Sequence, residues 1–189
     1  MIRIGILGDI GSGKSHIAKN FGYPVFNADS EVGELYKKDR KIFNKLKKVL
    51  PKYIYSFPIN KNEISNAILA NKSNLKKVIK IIHFEIRKKM NIFLSTNRNK
   101  KIVILDIPLL LESKINKKND ILVFVESKKL EILKRLKKRE NFNPILLKKF
   151  KSIQLPLDYK KNKSQFVIKN NFTKKTVKVG IKKIITKIL

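Results

Sequence analysis

The sequence of 189 residues contains no cysteine and no tryptophan. Without cysteine there is no disulfide scaffold, no thiolate zinc site and no cysteine nucleophile. Histidine is also scarce: His16 and His83 are too few for a histidine-built metal centre. No apolar run approaches the roughly 18 residues that a membrane span needs. Residues Met1–Gly8 lack the charged, apolar and small-residue order of a cleavable leader. The expectation is a cytoplasmic protein built as one domain, since this length is ample for one core and short for two.

Negative charge is scarce as well. Fourteen acidic residues face 45 basic ones, for a formal net charge of +31. Of the basic residues 39 are Lys and only six are Arg. Lysine is a strongly hydrated point charge, whereas base readers and bidentate phosphate clamps favour arginine. The balance therefore reads first as a solvated lysine surface, and second as attraction to polyanions. No specific nucleic-acid or membrane partner is expected. On either reading the positive field draws in small anionic substrates.

What is present is an alternation of apolar runs and helical patterns. Strands are expected at Ile2–Leu7, Pro24–Phe26, Lys101–Asp106, Asp120–Val125 and Gln165–Ile168. Helices are expected from Ser15 to Phe21, Ser30 to Leu50, Glu63 to Ala70, Leu75 to Leu94, Lys128 to Arg139 and Pro144 to Gln154, with a last one capped by Thr173. The continuous apolar strands suit a parallel sheet buried on both faces. Strands alternating with helices predict an α/β layered fold, with ligands at the carboxyl ends of the strands. The helical stretch between Asp29 and Lys101 exceeds a simple crossover and reads as an insertion covering a substrate.

Gly8-x-x-x-x-Gly13-Lys14-Ser15 matches the phosphate-loop pattern. Glycines let the backbone curl round an anion, and successive N–H groups face the phosphate oxygens at the positive end of the next helix. Lys14 can bridge β- and γ-phosphates, and the Ser15 hydroxyl can ligate Mg²⁺. This implies ATP or GTP with Mg²⁺ but names no acceptor. Asp29, at the end of the second strand, is either a base for a hydroxyl proton or the N-cap of the next helix. Asp106, ending the third strand, could hold Mg²⁺, cap a helix or face Lys14. Glu112 binds substrate or pairs with a lysine. His83 reads as partly buried helix structure. Arg135 and Arg139, one turn apart, face one way, either into solvent or onto a transferring phosphoryl group.

These residues together resemble the dephospho-coenzyme A kinase family, through nearly the whole chain. Ile4–Ser15 is similar to its phosphate loop, and Asn27-Ala28-Asp29 to its D-A-D. Leu105–Glu112 is close to D-x-P-L-L-x-E, Gln154–Leu157 to the Q-x-P-L of the lid, and Phe166–Asn171 to F-V-I-x-N. The resemblance implies a three-layer P-loop NTPase fold with a five-stranded parallel sheet, a helical substrate-binding insertion and a lid. It implies one kinase domain, with its core at 1–29, 99–139 and 165–189, an acceptor-binding region at 30–98 and a lid at 140–164.

By the same resemblance Asp29 is the base, with Lys14, Arg135 and Arg139 as the other catalytic groups. ATP would be bound by Gly8, Ile10, Gly11, Ser12, Gly13, Lys14, Ser15, His16, Arg139 and Asn170. Dephospho-coenzyme A would be bound by Asp29, His83, Arg87, Pro108, Leu109 and Glu112, and Mg²⁺ by Ser15 and Asp106. The implied reaction is ATP-dependent phosphorylation of the ribose 3′-hydroxyl of dephospho-coenzyme A by a monomer. Another small-molecule or nucleotide kinase is the alternative, and a nucleic-acid-associated NTPase a more distant one. Six positions depart from the family pattern: Asn27, Asn62, Phe84, Phe150, Lys169 and Phe172.

Overall fold

Five short apolar runs become the five strands of one sheet in the computed structural model, which describes residues 1–189. The strands are β1 (Ile2–Gly8), β2 (Val25–Asn27), β3 (Ile102–Asp106), β4 (Ile121–Glu126) and β5 (Phe166–Lys169). All pair in parallel, in the order β2-β3-β1-β4-β5. The central strands are buried on both faces, which explains their unbroken apolar sequence. With β1 in the middle, the chain departs on one side through β2 and β3 and on the other through β4 and β5. The carboxyl end of β1 is thus the switch point at which such sheets bind ligands.

The helices are α1 (Lys14–Asn20), α2 (Ala28–Lys38), α3 (Arg40–Val49), α4 (Lys61–Ala70), α5 (Lys72–Thr96), α6 (Lys129–Lys137), α7 (Pro144–Lys151), α8 (Leu157–Asn162) and α9 (Lys174–Ile188). Two compact units emerge. The first comprises residues 1–27, 94–142 and 153–189, and the second residues 28–93 and 143–152. In the first, Ile4, Ile6, Ile104 and Val123 of the sheet pack with Ile17 of α1 and Val177, Ile181 and Ile184 of α9. The second is all helical. Leu46, Ile68, Leu75, Val78 and Ile82 are among its buried residues. There Lys149 Nζ of α7 donates to the carbonyls of Ile68 and Leu69, at 2.7 and 2.9 Å, closing the C-terminal end of α4.

The structure corrects several expected boundaries. The expected helix from Ser30 to Leu50 is two helices, because Asp39 turns the chain and its carboxylate accepts the N–H groups of Lys41 and Ile42 as the N-cap of α3. α7 stops at Lys151, short of Gln154. The short α8, which begins after Pro156, had no periodic signal to announce it. α6 stops at Lys137, so Arg139 lies beyond the helix instead of one turn along it from Arg135.

A buried ion pair joins the sheet's amino edge to a distant loop. Arg3 donates to Asp120 Oδ2 at 2.9 Å, with both side chains almost fully enclosed. The same oxygen accepts the Lys117 N–H at 2.8 Å. Burial raises the Asp120 carboxyl above its ordinary pKa, against the opposing pull of the Lys117 amide and Arg3. Removing one partner of such a pair strands a buried charge. Arg3→Met is therefore expected to cost about 3 kcal/mol near pH 7. Protonation of Asp120 would remove the stranded charge, so the loss should shrink as pH falls through the raised carboxyl pKa. Urea unfolding of both proteins at neutral and acid pH measures this; a pH-independent difference would contradict it.

Candidate active site

The loop after β1 is shaped by backbone geometry before any side chain acts. Gly13 sits at φ +94° as the residue before α1, a conformation that side-chain-bearing residues rarely adopt. A Cβ there would also meet Asn170 Nδ2 at 2.5 Å. The first-turn N–H groups of α1 have no intrahelical acceptor and open toward the loop, the arrangement that favours an anion.

Two side chains from other strand ends hold the loop. Asn170 Nδ2, just after β5, and Ser127 Oγ, just after β4, both donate to the Ser12 carbonyl, at 2.8 and 3.0 Å. Asn170 Oδ1 in turn accepts the Phe172 N–H at 2.9 Å. Ser12 is fully buried. One amide departs from the simple cradle: the Ile10 N–H donates to its neighbour's carboxylate, Asp9 Oδ1, at 2.7 Å. Lys14 Nζ donates to the carbonyls of Asp9 and Gly8, at 2.8 and 3.2 Å, so its ammonium lies against the loop it belongs to.

The expected residues fall into two sets. Gly8, Ile10, Gly11, Ser12, Gly13, Lys14, Ser15 and His16 form the loop and the first turn of α1, and Asn170 joins them. Asp106 ends β3, the strand beside β1, and pairs in register with Asn27 of β2. Its Oδ2 accepts a hydrogen bond from Asn27 Nδ2. Pro108, Leu109 and Glu112 follow in the turns after β3. Arg135 lies on α6 with its guanidinium 4.4 Å from the Phe172 ring centroid, a cation–π contact. Arg139, past the helix end, is exposed.

Asp29, His83 and Arg87 belong to the helical unit. Asp29 is the second residue of α2 and therefore not its N-cap; it is exposed, where its charge complements the helix dipole. His83 lies on α5, half-buried, and its imidazole is held below the ordinary pKa, first by burial and then by the Arg87 guanidinium. Sequence reasoning missed Ser127, which had only its place immediately after a strand to mark it.

The chemistry of the Ser15 and Asp106 donors is hydroxyl and carboxylate oxygen. Two oxygen ligands, with the remainder supplied by water and phosphate, suit a hard divalent cation such as Mg²⁺. The buried Asp106 keeps Oδ2 engaged by Asn27, which fixes the carboxylate plane.

The sequence pattern described as Dephospho-CoA kinase matches residues 2–175. The chain belongs to the dephospho-CoA kinase family. A dephospho-CoA kinase of Wolbachia sp. subsp. Brugia malayi is 34% identical over 187 residues, spanning 96% of this chain and 95% of that one. Among solved structures, a Thermus thermophilus protein has a TM-score of 0.79 at 22% identity, covering 100% of this chain and 98% of that one. A dephospho-CoA kinase from Campylobacter jejuni has a TM-score of 0.63 at 20% identity, covering 98% and 96%. These structures share the fold, a P-loop kinase with a five-stranded parallel sheet. The expectation of a kinase of this family, made from the loop and the D-x-P-L-L-x-E stretch, is borne out. No helix is long and apolar enough to cross a membrane.

Two outcomes follow from this geometry. Asn170→Ala removes one of two donors to the Ser12 carbonyl and leaves the Phe172 amide without its acceptor. Stability should fall by about 1–3 kcal/mol, and nucleotide affinity should fall with it; unfolding and nucleotide titration check both. His83, whose folded pKa lies below its unfolded one, binds its proton more readily when unfolded. Stability is then whole above the ordinary value of 6.5 and declines as pH drops through it toward the folded pKa. His83→Gln should flatten this acid-side decline in unfolding midpoints, and an unchanged slope would assign the decline elsewhere.

Proposed function

We propose that this chain transfers the γ-phosphoryl group of ATP to the ribose 3′-hydroxyl of dephospho-coenzyme A, giving ADP and coenzyme A. The observation that carries the reading is the loop after β1, with its Ser12 carbonyl pinned from two other strand ends, in a chain whose family match spans residues 2–175. Catalysis of this transfer is mostly positioning and charge stabilisation.

The residues act as follows. Backbone N–H groups of the loop and of the first turn of α1 hold the β- and γ-phosphates. Lys14 leaves the carbonyls of Gly8 and Asp9 and donates to phosphate oxygens instead. Arg135 and Arg139 offset negative charge as the terminal phosphoryl group moves. Asp29 accepts the proton of the 3′-hydroxyl while that oxygen forms its bond to the γ-phosphorus, and the bond from that phosphorus to the β,γ-bridging oxygen breaks to release ADP. Pro108, Leu109 and Glu112, with His83 and Arg87, bind the acceptor. Ser15 and Asp106 would hold Mg²⁺, which supplies charge neutralisation between the β- and γ-phosphates.

Purified protein with MgATP and dephospho-coenzyme A should form coenzyme A, detectable by mass, while Lys14→Ala should not. Asp29→Asn should lower kcat by about a hundredfold or more with little change in the KM for ATP. An Asp29→Asn variant with unchanged turnover would remove that residue as the base. Turnover of other alcohols, measured as ADP release, should be far slower than with dephospho-coenzyme A.

A further inference from the structure

Lys160 heads the molecule's fully buried side chains in volume, with only 1% of its surface exposed. An enclosed ammonium is strongly disfavoured unless it is paired and hydrogen-bonded. Its Nζ lies 2.7 Å from Glu112 Oε1 and 3.3 Å from Gln154 Oε1. The same Glu112 oxygen accepts the Leu155 N–H at 2.9 Å. The other, Glu112 Oε2, is buried and has no hydrogen-bond partner.

This knot joins three separated stretches of the first unit. Glu112 lies in the turns after β3, together with Pro108 and Leu109. Gln154 and Leu155 lie where the chain re-enters this unit after residues 143–152. Lys160 is on α8. Packing alone does not call for a lysine here, since a methionine would fill similar space without a charge to desolvate. Two donors on one carboxylate oxygen and none on the other also orient that carboxylate: the protein has fixed which oxygen is left, enclosed, without a partner.

We propose that Lys160 is a positioning residue for the acceptor. Holding Glu112 through Oε1, it keeps the turns after β3 in place and leaves Oε2 to accept a hydrogen bond from dephospho-coenzyme A. This rests on the function proposed above. Binding then satisfies a buried acceptor that the free protein leaves unsatisfied, so the clamp acts on acceptor recognition and hardly on the nucleotide.

Two variants and two readouts test it. Lys160→Met removes the donor, and Lys160→Gln keeps a neutral, shorter one should the methionine variant fail to fold. The KM for dephospho-coenzyme A is expected to rise about tenfold in Lys160→Met and by less in Lys160→Gln, with the KM for ATP within about twofold of wild type. A purely structural lysine would lower the unfolding midpoint while leaving both KM values of the folded enzyme unchanged; that result, or equal shifts in both KM values, overturns the proposal. Amide hydrogen exchange at Leu155, read without any substrate, should quicken in Lys160→Gln, and unchanged protection there likewise overturns it. If the wild-type protein makes no coenzyme A, the function proposed above fails, whereas the exchange measurement still decides whether the clamp exists.

Discussion

The structure depends on holding one carbonyl group still. The Ser12 peptide lies in the middle of a loop that has to present its N–H groups to an anion, and a loop free to rearrange would lose binding energy in ordering itself. Donors from the ends of β4 and β5 fix that peptide by its oxygen, through Ser127 and Asn170. Both can reach because the strands run parallel and finish on the same edge as β1. The sheet is thus a means of bringing three strand ends together, and its buried isoleucines and valines give the edge its rigidity.

The loop, the strands and most of the helices were legible because each is written in a short stretch of chain. Gly8 to Ser15 carries its own conformational logic, and Ile102–Asp106 carries its burial in five consecutive residues. What was not legible is long-range. Nothing near Ser12 marks Asn170 as its hydrogen-bond partner 158 residues away, and nothing near Arg3 marks Asp120. The two ends of the expected helix from Ser30 to Leu50 looked continuous because Asp39 sits among lysines and reads as one more surface charge; its capping role depends on backbone angles. Lys160 is the sharper case. In a chain with 39 lysines, one that is wholly enclosed has the same sequence surroundings as those in water.

The helical unit shows how charge abundance is used locally. Lys149 closes the C-terminal end of α4, so residues 143–152 group with 28–93. Nearby in sequence, Phe150 stays exposed, and nothing in the structure explains its presence. Phe84, also exposed, has Lys88 Nζ 4.3 Å and Lys45 Nζ 5.8 Å from its ring centroid. Both ammonium groups also pair with the neighbouring Glu85, Lys45 at 3.2 Å and Lys88 at 3.6 Å, so one carboxylate and one ring face share the two cations.

Two departures from the family pattern lie at the carboxyl edge of the sheet, and both come with local compensation. An aspartate at position 27 would set its carboxylate against that of Asp106, since the two positions are in register; Asn27 donates to Asp106 instead, and the buried carboxylate gains a partner at no cost in repulsion. Phe172 takes a left-handed backbone conformation, φ +64°, which a glycine would adopt without strain. Such a conformation costs roughly 1 kcal/mol for a residue with a Cβ. In return its amide is held by Asn170, and its ring supports the Arg135 guanidinium. A glycine would relieve the backbone but leave that guanidinium without its aromatic face. The substitution therefore exchanges backbone ease for a fixed cation close to the loop, which keeps the phosphate-donor side of the site intact.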